Sequence, residues 1–267
     1  MNHPTRFLRF TSPSGGFPLI QAPVCRICAT FRRELSIVNI SSAIFDCSAP
    51  NLASCPDESL PEFAFIGRSN VGKSSLLNTL AGKLGMARVS ATPGFTKLIN
   101  IFTINKSWRL VDLPGYGFAH GARKHRARFN KAVAEYLEHR TNLCLVFALI
   151  DSGLAPQQID LESVEWLVRH GVPFVIVYTK ADKVSAATVQ ANVAAFTHDI
   201  SAWFEKLPAG FTCSAQTGHG RDQLLGVIDE QMAAINVTSS RALIRGKELA
   251  PGIGPNRKRR PDLNRPW

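Results

Sequence analysis

Short apolar runs alternate with stretches of helical spacing along the middle of the chain. Runs of strand length lie at residues 62–66, 143–151 and 172–178. Stretches in which apolar residues recur at helical spacing lie at residues 75–81, 129–139, 157–170, 185–206 and 221–235. Parallel strands that are buried on both faces have continuous apolar runs, and helices connect them. The pattern therefore predicts an α/β domain with a mostly parallel central sheet.

Four further segments have the length and composition of strands. Residues 98–104 alternate between apolar and polar, Asn105-Lys106 marks a turn, and residues 108–112 return, which predicts an antiparallel hairpin. Residues 37–45 mix β-branched residues with serine and asparagine, and we expect them to form an edge strand. Residues 210–213 are expected to form a last, short strand.

The two ends of the chain differ from this middle part. Residues 1–35 show no period, are rich in proline, serine, threonine and arginine, and carry Glu34 as their single acid. This composition is typical of a mitochondrial or plastid transit peptide, and it equally fits a gene model that starts too early. Residues 241–267 form a basic tail. We therefore expect a folded domain at residues 36–240 between two flexible basic extensions.

The distribution of charge and the positions of the cysteines indicate what kind of partner and what kind of compartment to expect. The two extensions hold +4 and +6 of the net charge of +11, which leaves the domain nearly neutral. Such extensions suggest a polyanionic partner, first of all nucleic acid, although they could also serve only solubility. No apolar run reaches 18 residues, so no transmembrane helix is expected. The six cysteines are scattered, which favours a reducing compartment, and Cys25 and Cys28 have no second pair at zinc-site spacing.

The strongest motif follows the first apolar run. Residues 67–74 read Gly-Arg-Ser-Asn-Val-Gly-Lys-Ser and match G-x-x-x-x-G-K-[ST], the phosphate-binding loop, between a predicted strand and a predicted helix. Glycines at 67 and 72 let the backbone bend around phosphate oxygens, and the helix N-terminus favours the anion. Lys73 would reach the β- and γ-phosphates, and the Ser74 hydroxyl would bind Mg²⁺. The alternative is a glycine-rich turn with a solvated lysine.

Two weaker motifs follow other predicted strands. Asp112-Leu113-Pro114-Gly115 places a carboxylate that can hold Mg²⁺ through water and a glycine N–H that can sense the γ-phosphate, although the same residues often form a simple turn. Thr179-Lys180-Ala181-Asp182 places a carboxylate that can accept two hydrogen bonds from guanine, with the stem of Lys180 across the base. Asp182 could instead cap the next helix. Residues 214–218 would close over the guanine through backbone N–H groups.

Residues 117–128 form a basic, glycine-punctuated segment. It is either the solvated start of a helix or a nucleic-acid contact that one nucleotide state exposes. The sequence leaves these two interpretations open.

With these motifs in order, the chain resembles the EngB family of ribosome-associated GTPases, of the translation-factor-like class. The residues that carry the resemblance are GRSNVGKSS at 67–75, TPGFT at 92–96, DLPGYG at 112–117, TKAD at 179–182 and CSAQTG at 213–218. The resemblance covers residues 36–240. It implies a three-layer, Ras-like P-loop GTPase fold with one antiparallel strand. It also implies a cytoplasmic, monomeric switch that binds the large ribosomal subunit and its rRNA during assembly, and a link to cell division and septation.

The resemblance also implies a set of site residues. The expected contacts to GTP or GDP are Gly67, Arg68, Ser69, Asn70, Val71, Gly72, Lys73, Ser74, Gly94, Phe95, Thr96, Lys97, Leu98, Asp112, Leu113, Pro114, Gly115, Thr179, Lys180, Ala181, Asp182, Cys213, Ser214 and Ala215. Ser74 and Thr96 would bind Mg²⁺, and Lys73, Thr96 and Gly115 would act in catalysis. The chain departs from the family pattern at Phe95, where a basic residue is usual, and at residues 120–123.

The expected hydrolysis is slow. A Ras-like enzyme orients water with a glutamine directly after the D-x-x-G glycine, and here Tyr116 holds that position. We therefore expect a ribosomal partner to accelerate the reaction, and Asn70 resembles the residue with which some GTPases recruit K⁺. Two other classes remain open from the sequence, an ATP-using P-loop enzyme and a nucleic-acid-binding protein with a vestigial nucleotide site. Discrimination of GTP from ATP by Asp182 separates the first of these from a GTPase.

Overall fold

The computed structural model describes residues 39–82, 98–117 and 131–248. Within these stretches lie seven strands and five α-helices. In chain order they are β1 (Ala43–Ala49), β2 (Glu62–Gly67), α1 (Lys73–Ala81), β3 (Ile99–Ile104), β4 (Trp108–Asp112), α2 (Lys131–His139), β5 (Leu143–Asp151), α3 (Gln158–Arg169), β6 (Phe174–Thr179), α4 (Ala186–Ile200), β7 (Gly210–Thr212) and α5 (Arg221–Glu248). Two short 3-10 turns, Leu52–Ser54 and Ser201–Trp203, complete the described elements. The predicted segment 1–35 and the pair Cys25 and Cys28 lie outside the described residues.

The strands form one sheet in the order β1-β3-β4-β2-β5-β6-β7. β3 pairs antiparallel with both β1 and β4, and the other neighbouring strands pair parallel. Among the described strands, β3 therefore runs against the other six. The prediction of a mostly parallel α/β sheet with one antiparallel strand is confirmed.

Alternating side chains of the strands build a core on each face of the sheet. Phe63 and Phe65 of β2 point to the face covered by α1 and α5, and their neighbours Ala64 and Ile66 point to the face covered by α2 and α3. Phe196 of α4 packs on that second face, farther along the sheet. Because each central strand is buried on both faces, its sequence is a continuous apolar run. The result is the predicted three-layer arrangement.

The register of the parallel strands places their carboxyl ends side by side. Phe65 of β2 pairs with Asp112 at the end of β4, and Gly67 pairs with Leu149 of β5. Asp151 at the end of β5 pairs with Thr179 at the end of β6. Tyr178 of β6 pairs with Thr212 at the end of β7. The four sequence motifs, which follow β2, β4, β6 and β7, therefore start at one edge of the sheet.

The first strand differs from its prediction at residues 37–45. β1 begins at Ala43 and lies at the edge of the sheet, where Ile44 and Phe45 are exposed. The side chain of Asn105, in the β3–β4 turn, accepts hydrogen bonds from the backbone N–H groups of Ser41 and Ser42 at 2.9 and 3.0 Å. These bonds hold the segment before β1 to the turn, so the ladder to β3 starts only at Ala43. Since the edge strand buries little, its apolar pattern does not reveal where it begins.

Two helix ends also differ from the prediction. α4 ends at Ile200 and not at residue 206, because the chain turns there and Phe204 packs edge-on against Phe174 of β6, with ring centroids 6.2 Å apart. α5 continues past residue 235 to Glu248, across the proposed domain boundary at 240/241. Residues 236–246 contain asparagine, threonine, serine and glycine, which are weak helix formers. Extending an existing helix is easier than starting one, so propensity alone stops the predicted helix too early.

A buried ion-pair network stabilises the opposite edge of the sheet, away from the motifs. Glu62, the first residue of β2, is fully buried. Arg140 donates two hydrogen bonds to its carboxylate, Nε to Oε2 at 2.9 Å and Nη2 to Oε1 at 2.6 Å. The Tyr136 hydroxyl donates to Oε2 at 2.6 Å, and Arg109 Nη1 lies 3.4 Å from Oε1. Arg140 also donates to the Pro56 carbonyl oxygen at 2.8 Å, which fixes the loop before β2.

Replacing Glu62 by alanine is expected to lower the free energy of unfolding by about 3–5 kcal/mol, because Arg109 and Arg140 would lose the fully buried carboxylate that they share. Burial alone would raise the pKa of Glu62, but hydrogen bonds from Arg140 and Tyr136 outweigh it and hold the pKa below its ordinary value. The stabilisation is therefore present at neutral pH and is lost as the pH falls through this lowered pKa. Urea unfolding of Glu62→Ala and the parent chain, at neutral and acidic pH, measures both effects.

Glu135→Ala is the matched control, since Glu135 pairs with Lys131 on the exposed face of α2 at 3.5 Å. An exposed pair of this kind contributes only about 0.3–0.5 kcal/mol. Equal losses of stability for the two variants would contradict a special role for the buried network.

None of the helices in the three described stretches combines the length and the hydropathy that a membrane span requires.

Candidate functional site

The loop between β2 and α1 has the geometry of an anion site. A Cβ atom on Gly67 would lie 2.8 Å from Val71 Cγ1 and 3.0 Å from the Leu149 carbonyl oxygen, so only glycine fits there. Gly72 precedes α1 with a φ of 98°, a left-handed conformation that favours glycine. No side chain caps the N-terminus of α1. The first N–H groups of the helix are therefore available to an anion.

Lys73 and Asp112 form a buried ion pair at the mouth of this loop. Lys73 begins α1, Asp112 ends β4, and the ammonium group contacts the Asp112 carboxylate. Lys73 is 8% exposed and Asp112 is 2% exposed. Ser74, the next residue of α1, is half-buried. A cation donor, a carboxylate and a hydroxyl side by side next to a glycine loop fit a phosphate group with its magnesium ion.

The segment after Asp112 lies directly against the phosphate loop. Tyr116 N–H donates to the Gly67 carbonyl oxygen at 3.2 Å, and Ser69 N–H donates to the Tyr116 carbonyl oxygen at 3.1 Å. A Cβ on Gly115 would lie 3.2 Å from the Gly67 carbonyl oxygen and 3.3 Å from Ser69 N. Glycine at 115 therefore permits an approach of two backbones that a side chain would hinder. The structure brings Gly115 next to the loop that is predicted to hold phosphate.

The residues after β6 connect to the same loop. The Thr179 hydroxyl is buried and lies 2.7 Å from the Val71 carbonyl oxygen, to which it donates. Lys180 has a φ of 58°, and its stem lies 3.8 Å from the Cβ position of Gly72. Its ammonium group donates to Asp151 Oδ2 at 2.7 Å. Lys180 thus lies along the phosphate loop with its end fixed by the carboxylate at the tip of β5.

Asp182 faces the last motif. A hydrogen bond from Ser214 holds the pKa of Asp182 below its ordinary value, so the carboxylate is ionised at neutral pH. Ala181 N–H donates to the Cys213 carbonyl oxygen at 3.1 Å, which joins the two loops. Burial raises the pKa of the Cys213 thiol to about 12, so this cysteine is not a reactive thiolate. The alternative role of Asp182 as a helix cap is wrong, because Ser185 caps α4 by accepting from Thr188 N–H.

Four residues that the motifs did not reveal support this site. The Thr79 hydroxyl of α1 donates to the Ala215 carbonyl oxygen at 2.9 Å, and Arg221 Nε donates to the Thr79 carbonyl oxygen at 2.9 Å. A Cβ on Gly220 would lie 2.3 Å from the Thr212 carbonyl oxygen, and its φ is 78°. Asp151 fixes Lys180. The Gly218-x-Gly220 spacing in the sequence could have predicted a tight turn. No sequence pattern indicates the roles of Thr79, Arg221 and Asp151.

The structure brings together those predicted site residues that lie within the described stretches. Residues 67–74, 112–115, 179–182 and 213–215 form one continuous, hydrogen-bonded set at the carboxyl edge of the sheet. Leu98 lies just before β3 and is 39% exposed. The predicted contacts Gly94, Phe95, Thr96 and Lys97 lie outside the described residues, as do residues 118–128 of the basic segment.

The side chain of Tyr116 points toward α3 and not toward the phosphate loop. The ring is buried, and its hydroxyl donates to Asp160 Oδ1 of α3 at 3.1 Å. Burial and the nearby Asp160 charge raise the pKa of Tyr116 well above its ordinary value, so the phenol stays neutral. A side chain held in this way is not free to orient a water molecule.

Known proteins share both the sequence and the fold. Residues 62–180 match the family described as MMR_HSR1, 50S ribosome-binding GTPase. The probable GTP-binding protein EngB of Bacteroides fragilis is 44% identical over 199 residues, which cover 74% of this chain and 99% of the relative. That of Cytophaga hutchinsonii is 46% identical over 189 residues, which cover 71% and 95%. The crystal structure of a probable GTP-binding protein EngB is 25% identical, with a TM-score of 0.51, and the match covers 65% of this chain and 99% of that one.

Proposed function

Since the chain belongs to the EngB family of GTP-binding proteins and is a GTPase, we propose that it is a nucleotide switch in the assembly of the large ribosomal subunit. The observation that carries the proposal is the contact between Lys73 and Asp112 beside Gly115, whose backbone touches the phosphate loop. These three groups come from two different strand ends and would meet at the third phosphate of GTP. A loop that contacts the third phosphate can differ in shape between GTP and GDP.

We assign the nucleotide contacts to the residues that the motifs name. The phosphates lie against the N–H groups of residues 67–74, and Lys73 binds the β- and γ-phosphates. The guanine lies between Lys180 and residues 213–215, with Asp182 accepting from its N1–H and N2–H₂ groups. Ser74 and Thr96 would hold Mg²⁺, which would supply positive charge beside the phosphates. Lys73, Thr96 and Gly115 act on the γ-phosphate.

Hydrolysis without a partner is proposed to be slow. The residue that directly follows Gly115 is Tyr116, and its hydroxyl is bound to a buried carboxylate of α3. No glutamine stands at that position to orient the attacking water. A ribosomal partner would therefore supply the missing group or reshape the loop.

We further propose that K⁺ assists hydrolysis through Asn70. This residue is exposed in the phosphate loop and has a φ of 65°, a left-handed conformation that asparagine adopts more readily than most residues. GTP hydrolysis is expected to be faster in K⁺ than in Na⁺ at equal ionic strength, and Asn70→Ala is expected to remove the difference. Equal rates of the parent chain in the two salts would exclude a role for K⁺.

The proposed partner is the large ribosomal subunit with its rRNA, bound by a monomer. The basic extensions, residues 1–35 and 241–267, carry most of the net charge and favour a polyanionic partner for the domain at 36–240. We place the protein in the cytoplasm, where its failure would disturb cell division and septation through the supply of ribosomes. If residues 1–35 are a transit peptide, the protein acts in a mitochondrion or plastid. Sequencing the N-terminus of the natural protein separates these cases.

Sedimentation with isolated ribosomal subunits tests the proposal. The full chain is mixed with large subunits in the presence of a non-hydrolysable GTP analogue, GDP or no nucleotide, and small subunits serve as the control. We expect the chain to sediment with large subunits most in the GTP-analogue state. Equal sedimentation in all three states, or none with large subunits, would overturn the role as a switch in their assembly.

A further inference from the structure

Asp160, in the first turn of α3, is a fully buried carboxylate outside every sequence motif. Its Oδ1 accepts a hydrogen bond from the Tyr116 hydroxyl at 3.1 Å, and its Oδ2 lies 3.4 Å from Arg68 Nη2. Both partners belong to the nucleotide loops, because Arg68 directly follows Gly67 and Tyr116 directly follows Gly115. One carboxylate of α3 therefore touches the phosphate loop and the loop that would sense the third phosphate.

The backbones of the two loops are also closely packed near Arg68 and Tyr116. Arg68 and Tyr116 pair as an isolated parallel bridge that joins the two loops. A Cβ on Gly117, whose φ is 85°, would lie 2.8 Å from Ile159 Cδ1 and 3.5 Å from Arg68 Cγ. The segment 115–117 is thus confined between the phosphate loop on one side and the start of α3 on the other. A displacement of α3 would move Gly115 together with Tyr116.

The electrostatics of Asp160 do not favour a purely structural role. Among the described residues, neither Asp160 Oδ2 nor Arg68 Nε has a hydrogen-bond partner. Burial raises the pKa of Asp160 to about 6, and the Arg68 charge and the Tyr116 hydrogen bond offset this rise only in part. A buried carboxylate with incomplete hydrogen bonding destabilises the fold near neutral pH. Such groups call for an explanation in function.

We propose that Asp160 is a positioning residue that sets the place of the Gly115 N–H through Tyr116 and Arg68, and so couples the orientation of α3 to the third phosphate. This inference rests on the proposed use of the site for GTP. A hydrogen bond from Gly115 would form only with the triphosphate, whereas the phosphate loop and the guanine contacts serve both nucleotides. Loosening the anchor should therefore weaken GTP binding more than GDP binding. The same anchor offers a partner bound at α3 a route to the nucleotide.

Binding of fluorescent mant-labelled GDP and a mant-labelled non-hydrolysable GTP analogue to the full chain tests the proposal. Asp160→Ala and Tyr116→Phe are each expected to shift the ratio of the two Kd values against the triphosphate by about tenfold, the scale of one weakened charge-assisted hydrogen bond. Combining them should add little, because both break the same anchor. Asp160→Asn keeps an oxygen acceptor for the Tyr116 hydroxyl and is expected to stay within about threefold of the parent ratio.

Glu165→Gln is the matched control, because Glu165 lies on the partly exposed face of α3 and pairs with Arg169. Its Kd ratio should equal that of the parent chain. If Asp160 has only a structural role, the variants should have a lower melting temperature and a Kd ratio within about twofold of that of the parent chain. An unchanged Kd ratio in Tyr116→Phe would overturn the proposal even if Asp160→Ala fails to fold. A parent chain that binds neither nucleotide would overturn the proposed function itself, which is a different result.

Discussion

Replacing Lys73 by alanine is expected to weaken the binding of both GTP and GDP by about a hundredfold or more. The Lys73 ammonium lies at the N-terminus of α1 in a buried position, where its interaction with phosphate is only weakly screened by water. Two hydrogen bonds from a charged donor contribute about 1.5–3 kcal/mol each, and every 1.4 kcal/mol corresponds to about a tenfold change in Kd. Because the β-phosphate is common to both nucleotides, both affinities should fall. Titration with mant-GTP and mant-GDP measures the loss.

Lys131→Ala is the control for this variant, since Lys131 is an exposed lysine at the start of α2. Lys73→Ala also leaves Asp112 buried without its partner, so thermal unfolding must accompany the titrations. The double variant Lys73→Ala, Asp112→Asn removes that charge and should recover stability without recovering affinity. A folded Lys73→Ala chain whose affinities remain close to those of the parent would contradict the assignment of Lys73 to the phosphates.

The convergence of the motifs was predictable from the sequence for a physical reason. Each motif directly follows a strand, and parallel strands end at the same edge of their sheet. Once the apolar runs of β2 and β6 are placed in one parallel sheet, the phosphate loop and Thr179 have to lie near each other. Asp112 joins them because β4 pairs parallel with β2. The residue types of the phosphate loop likewise follow from local requirements, such as the left-handed φ of Gly72.

Other features depend on contacts between residues that are distant in the chain, and no local pattern reveals them. In the sequence, Glu62 is an ordinary charged residue at the start of a strand. In the structure it is fully buried, and Arg140, which directly follows α2, donates hydrogen bonds to its carboxylate. Asp160 has the position of a favourable first-turn acid, but its partners come from two loops of the site. The start of β1 depends on the Asn105 side chain of another turn. Such tertiary contacts override propensity where the local signal is weak.

Replacing Asp182 by alanine is expected to lower the affinity for GTP by about a hundredfold or more, since two charge-assisted hydrogen bonds to guanine would be lost. The affinity for ATP should change little, because adenine does not offer the N1–H and N2–H₂ donors that the carboxylate accepts from. The preference for GTP over ATP should therefore largely disappear. The Asp182→Ala variant should also bind mant-GDP weakly, so a competition assay with that probe is unsuitable. Direct titration of each variant with mant-GTP and with mant-ATP is the appropriate measurement.

Asp199→Ala provides the comparison, because Asp199 is exposed near the end of α4. The chain should stay folded in both variants, since the cap of α4 is Ser185 and not Asp182. The parent chain and Asp199→Ala are expected to prefer GTP over ATP, and Asp182→Ala is expected to lose that preference. Binding of ATP by the parent chain, or of neither nucleotide, would contradict the use of the site for GTP. Retention of the full preference for GTP in Asp182→Ala would mean that other groups recognise the base, and the guanine site would have to be reassigned.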